Sequence, residues 1–246
     1  MTPLSFHSLA KQVVAFALAI LWTSNLAAQE ERVVETGFNS WYATHMETAV
    51  GERLNVFGQC HIRRTDFGSA WQQRLLFLGS EWRSPAGLKW SMAYGNIMNH
   101  PNGIPAQEHR LFEQLVYAFP AGKWSIGHRH RIEHQWLEQN DFDLKNRYRI
   151  DFSAKRPLGT SGKWTFRVHN ESLISMFDPT RANLYQQNWL GLGFIHAFSA
   201  RSKLSLEYLQ QTIISGNGLT AKRNHNIHWM FIHKLDFSRR QSPAGD

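Results

Sequence analysis

The strongest constraint on the fold is an alternation of apolar and polar residues with period two, sustained over runs of 12 to 15 residues. In Gly122–Trp136, Trp124, Ile126, Ile132 and Trp136 share one face with His128, His130 and His134, while Lys123, Ser125, Gly127, Arg129, Arg131, Glu133 and Gln135 share the other. The same pattern runs through Gly87–Gly95, Arg147–Lys155, Lys163–Leu173 and Lys203–Gln211. A period of two is that of a β-strand. Soluble strands average about 5–6 residues. At about 3.3 Å per residue, runs this long cover a tilted crossing of a bilayer core of about 30 Å. Strands with one greasy and one wet face are what a membrane β-barrel needs.

Eleven such runs are counted, near 37–46, 52–64, 70–83, 87–97, 107–119, 122–136, 143–156, 162–176, 186–199, 202–214 and 223–237. Bacterial single-chain barrels have even strand numbers, so one strand near the N-terminus is taken as missed or merged. The expectation is all-β: a single antiparallel transmembrane β-barrel of about twelve strands, with ten as the alternative. Ser84–Ala86, Pro120–Ala121 and Ala200–Arg201 read as tight turns, and Met98–Ala106, Phe177–Tyr185 and Ser215–Lys222 as longer loops. Short periplasmic turns and longer outer loops are the outer-membrane pattern. The final run ends Leu235-Asp236-Phe237, resembling the C-terminal assembly signal of outer-membrane barrels, although nine residues follow it.

Composition agrees. Mean hydropathy is −0.42, which excludes a bundle of transmembrane helices, yet the chain carries ten Trp and sixteen Phe. The long apolar run Val13–Trp22, preceded by Lys11 and followed by Leu26-Ala27-Ala28, is too short to cross a bilayer as a helix. It reads as a secretory signal peptide cut after Ala28, giving a signal over 1–28 and one barrel domain over 29–246. Removing Lys11 from the 27 basic residues leaves 26 against 19 acidic ones. Cys60 is the only cysteine, which rules out an intramolecular disulfide and a multi-cysteine zinc site.

Arg129-x-Arg131-x-Glu133 on one strand, Arg147-Tyr148-Arg149 on the next and Asn170-Glu171 on the one after resemble an uncharacterised bacterial family, domain of unknown function 2490. The resemblance runs from about Phe38 to Phe237 and implies an outer-membrane β-barrel with no known reaction. One departure is that Asn188 is followed by Trp189 and Leu190-Gly191, where the family often carries Arg after the Asn.

The polar faces supply the candidate site. A hairpin centred near Asn140 sets Glu133 opposite Arg147, Arg131 opposite Arg149 and Arg129 opposite Asp151. A next turn centred near Gly159 sets Asp151 opposite Arg167, Arg149 opposite His169 and Arg147 opposite Glu171. Opposite charges directly across a strand pair stabilise it. Glu108 and Arg110 on the preceding strand join the same wall. These residues form a lumen charge network with an excess of two positive charges. It either fills and stiffens a narrow barrel or forms an anion-preferring constriction, with Arg131 and Arg149 as the unpaired, selecting pair.

His128 and His130 share a strand face that parity assigns to lipid, and two histidines without a third ligand are a weak metal signal. No cofactor or metal is expected. No His-x-Ser occurs beyond residue 28, and alternation turns His169 and Ser172 to opposite faces, so no Ser–His pair forms within that strand. Trp90, Tyr94, Trp124, Trp136, Trp164 and Trp229 are expected as interfacial girdles. Basic residues spread along inward faces argue against nucleic acid. The expected partners are outer-membrane lipid and lipopolysaccharide, the barrel-assembly machinery during biogenesis, and a small anionic solute. The leading function is a narrow channel or structural barrel in a Gram-negative outer membrane. A lipid-modifying enzyme and a soluble periplasmic ligand-binding barrel are the alternatives.

Overall fold

The computed structural model describes residues 32–138, 143–178 and 182–237. The signal peptide expected over 1–28, its cleavage point and the tail 238–246 lie outside the described residues.

Eleven strands follow in chain order: β1 Arg32–Ala49, β2 Leu54–Thr65, β3 Ala70–Arg83, β4 Lys89–Asn99, β5 Ala106–Ala121, β6 Trp124–Leu137, β7 Asp143–Leu158, β8 Trp164–Met176, β9 Tyr185–Ala197, β10 Ser202–Ile214 and β11 Thr220–Lys234. The other described elements are two short 3-10 turns, Asp66–Gly68 and Pro101–Gly103. The strands close one barrel. Chain neighbours pair antiparallel, as in β5–β6 and β6–β7, whereas β1 pairs with β11 in parallel, from Arg32↔Thr220 to Glu47↔Lys234.

This corrects the expected twelve strands and the alternative of ten. The eleven runs are eleven strands among the described residues. An odd strand count makes the last strand point the same way as the first, so closure has to be parallel. Parallel pairing is slightly weaker per residue, and the ladder offsets this by running along nearly the whole of both strands. β1 begins five residues before the run read from sequence. β11 ends at Lys234, short of Phe237, although the Leu235 amide still donates to the Glu47 carbonyl at 2.8 Å.

The links before β2, β4, β6, β8 and β10 sit at one end of the barrel and the others at the opposite end. The longer loops 100–105 and 215–219 therefore share an end, and the segment between β8 and β9 belongs to it too. Gly122, with φ of +62°, takes the left-handed conformation that lets two residues join β5 to β6.

The two faces are sorted opposite to those of a water-soluble barrel. Leu76 and Leu78 on the outer face of β3 are 54% and 67% exposed, while Glu133 inside is 0% exposed. Trp90, Tyr94, Trp164 and Trp229 are exposed on the outer face, and Trp124 and Trp136 are half-buried there. The lumen is not uniformly polar. Phe57, Leu75, Phe77, Ala93, Ile97 and Phe112 form one buried apolar cluster along β2–β5. Trp41, Leu173, Trp189 and Leu209 form a second.

Candidate functional site

All eleven charged residues singled out in the sequence face the lumen, on β5 (Glu108, Arg110), β6 (Arg129, Arg131, Glu133), β7 (Arg147, Arg149, Asp151) and β8 (Arg167, His169, Glu171). The β6–β7 register is the one read from sequence: Arg129↔Asp151, Arg131↔Arg149 and Glu133↔Arg147. The β7–β8 register differs by four residues. Asp151 lies opposite Glu171 and Arg149 opposite Leu173, which corrects the expected pairings of Asp151 with Arg167, Arg149 with His169 and Arg147 with Glu171. The turn spans 159–163, so its centre lies two residues beyond Gly159.

The ion pairs therefore run diagonally. Fully buried Glu133 is held by Arg147 at 2.5 Å, Arg149 at 2.9 Å, Arg131 at 3.5 Å and Arg110 at 3.6 Å. Glu171 accepts Arg149 bidentately at 2.7 and 2.8 Å and Arg129 at 2.7 Å. Such forked guanidinium–carboxylate pairs are among the stronger hydrogen bonds available to a protein. Glu108 takes Arg110 at 2.5 Å, with Gln135 donating at 3.0 Å. Asp151 hydrogen-bonds His169 Nδ1 at 2.9 Å.

Arg149 is thus doubly paired, which corrects its assignment as an unpaired selecting residue. Arg131 is close to that description. Its Nε donates to Gln114 at 2.9 Å, its guanidinium lies 4.0 Å from the Phe112 ring centroid, and among the described residues its one carboxylate contact is the 3.5 Å approach to Glu133.

Sequence reasoning missed the other half of the site. Glu207 on β10 pairs with Arg167 at 2.5 Å and approaches His169 Nε2 at 3.7 Å and His228 at 3.8 Å. Arg63 on β2 lies 4.1 Å over Trp41 and 5.6 Å from Trp189, and its Nη1 donates to Gln73 at 2.8 Å. Its buried Nε has no hydrogen-bond partner, and among the described residues no carboxylate lies within 4 Å. Arg149 lies 4.9 Å over the same Trp189 ring. The residue after Asn188 is therefore an inward tryptophan carrying two guanidiniums.

Two cavities lie within the lumen of the described residues. The first, about 510 Å³, lies toward the longer loops and is lined by Arg63, Arg110, Lys145, Arg147 and Arg149, with Glu108 its one acid among the described residues. The second, about 360 Å³, lies toward the tight turns. Arg63, Arg110, Arg149 and Trp189 border both, forming a septum. Among the described residues around the two cavities, nine basic side chains (Arg63, Arg110, Arg129, Arg131, Lys145, Arg147, Arg149, Lys155 and Arg167) face five carboxylates (Glu108, Glu133, Asp151, Glu171 and Glu207). The cationic excess is larger than the sequence count of two.

The remaining candidates lie on the outer face. His128 Nδ1 and His130 Nε2 are 3.1 Å apart, and the Tyr148 hydroxyl hydrogen-bonds His130 Nδ1 at 2.5 Å. Tyr94–His109 and Tyr208–His225 repeat that pairing between strands. These outward histidines sit beside hydroxyls on neighbouring strands, and among the described residues no three His, Cys, Asp or Glu side chains group as metal ligands. Ser172 faces outward to the Tyr185 hydroxyl at 3.0 Å, away from His169.

The family model described as "Protein of unknown function (DUF2490)" matches residues 38–222. No curated protein sequence matches the chain. One solved structure to which the chain is similar is described as an anion-selective porin from Comamonas acidovorans. It is 11% identical with a TM-score of 0.38, over 74% of this chain and 53% of that one. The chain therefore spans about half the length of that porin.

Proposed function

Because the chain belongs to the family described as protein of unknown function (DUF2490), which assigns no reaction, we propose a role from the lumen itself: a narrow outer-membrane barrel that favours small anions. The observation that carries this reading is Arg63. Drawing a guanidinium out of water without a counter-charge is costly, and half-buried Arg63 sits at the septum between two cavities whose walls are already rich in cations. A mobile anion supplies the missing charge at that point. Arg side chains lining a constriction lower the barrier to negative charge. The ion pairs of Glu133 and Glu171 serve the frame, holding β5 to β8 in register around the passage.

Membrane insertion is supported by the sorting of faces, with leucines outside and carboxylates inside, as a bilayer requires. The same sorting speaks against the soluble periplasmic barrel. The lipid-modifying alternative has less to stand on, since Ser172 and His169 lie on opposite faces.

The test is uptake into proteoliposomes carrying the purified, refolded protein. Small anions are expected to enter faster than cations of equal size, with Arg63→Gln reducing the difference. Equal uptake of both charges, or none, contradicts the proposal.

A further inference from the structure

The inner cavity has two unlike walls. Its β6–β8 arc presents Arg129, Arg131, Lys155, Arg167 and His169. The arc across the barrel, from β10 through β11 and β1 to β3, presents Trp41, Leu75, Phe77, Leu209, Met230 and Ile232. Gln59, His61, Arg63, Ser205, Glu207 and His228 are the polar members of that second arc, and Glu171 is the acid of the first. A passage for hydrated inorganic ions gains nothing from the apolar side chains of the second arc, whereas an organic anion uses both.

Positive charge on the basic side is left over. Lys155 is exposed to the lumen. Among the described residues it has no carboxylate within 4 Å, and Lys155↔Arg167 are directly opposed like charges. Like charges directly opposite one another destabilise a strand pair. An oxyanion group between β7 and β8 relieves that opposition.

We propose that the inner cavity binds an amphipathic organic anion, its carboxylate at Lys155 and Arg167 and its apolar body against Leu75, Met230 and Ile232. A volume of about 360 Å³ falls within the usual range for small-molecule pockets, about 300–1,000 Å³. The inference deepens the anion-passage reading and rests on it for the sign of the ligand's charge, but it does not require the passage to be open.

The test is equilibrium titration of the full chain, held in an amphipol, with octanoate, acetate, inorganic phosphate and neutral octanol. Octanoate is expected to bind at least about tenfold more tightly than acetate, because burying added methylenes is favourable. It is also expected to bind at least about tenfold more tightly than octanol, because charge-assisted hydrogen bonds are lost with the carboxylate. Lys155→Met should weaken octanoate about tenfold or more and leave the heat-modifiable gel mobility of the folded barrel intact. Met230→Gln, checked the same way, should weaken octanoate while leaving acetate unchanged.

Acetate or phosphate binding as tightly as octanoate overturns the apolar half of the proposal, and octanol binding equally well overturns the charged half. Octanoate binding by a protein that passes no anion keeps this site and removes the passage. Selective anion passage with no octanoate binding does the reverse.

Discussion

Asp151 and Glu171 face one another directly across the β7–β8 pair, two buried carboxylates in a position where like charges destabilise a sheet. The barrel resolves this diagonally. Glu171 turns to Arg149 and Arg129, and Asp151 to His169. Glu171→Gln leaves both guanidiniums short of their charged acceptor. It is expected to destabilise the barrel by about 3–5 kcal/mol, the usual cost of breaking a buried ion pair from one side. The urea midpoint of the heat-modifiable gel shift measures this, and an unchanged midpoint contradicts the assigned pairing.

Gly191 on β9 lies under the His169 ring. A Cβ built there falls 2.1 Å from His169 Nε2 and 2.5 Å from Cδ2. Gly191→Ala should therefore push the imidazole off Asp151 and cost about 1–3 kcal/mol, as overpacking does. Gly216→Ala, where nothing lies within 4 Å, is the control and should be near neutral in the same unfolding measurement.

Parallel closure fixes where the chain ends emerge. β1 starts at the end bearing the longer loops, and β11 finishes at the end bearing the tight turns. With tight turns in the periplasm, a tag placed just before β1, downstream of the proposed cleavage point, should label on intact cells. A tag after Phe237 should label only once the outer membrane is permeabilised. Both tags labelling from one side would require an even strand count.

Trp189 separates the two cavities and carries Arg63 and Arg149 on its ring. Trp189→Ala should join the cavities and raise unitary conductance in planar bilayers above that of the unaltered protein. A lower or equal conductance would show that the septum is formed by other residues.

The alternation along β6 and β7 made faces, strand lengths and one register legible, because apolar-out and charge-paired registers coincide there. The β7–β8 register was not legible. Gly159 and Gly162 both take left-handed φ, so either could centre the turn, and long arginines reach diagonally across whichever register forms. Arg63 was hidden because it sits beside Arg64, and a doublet carries no parity. Arg64 in fact faces outward after a register shift and donates to the Gly68 carbonyl at 3.0 Å. Trp189 stood out only as a departure from the family pattern, and its place under two guanidiniums was hidden, flanked by outward Leu190 in a stretch where both faces are apolar. The strand count failed for a different reason. An even-number rule was set above eleven runs that each correspond to a strand.

The most direct measurement is the reversal potential of single channels of the refolded protein under a potassium chloride gradient, compared with Arg63→Gln. Discrete steps with a chloride-favouring reversal potential, shifted toward zero by the substitution, are expected from two lumen cavities with nine basic side chains against five carboxylates. A potassium-favouring reversal potential, or a folded barrel that stays silent, would contradict the anion-passage account.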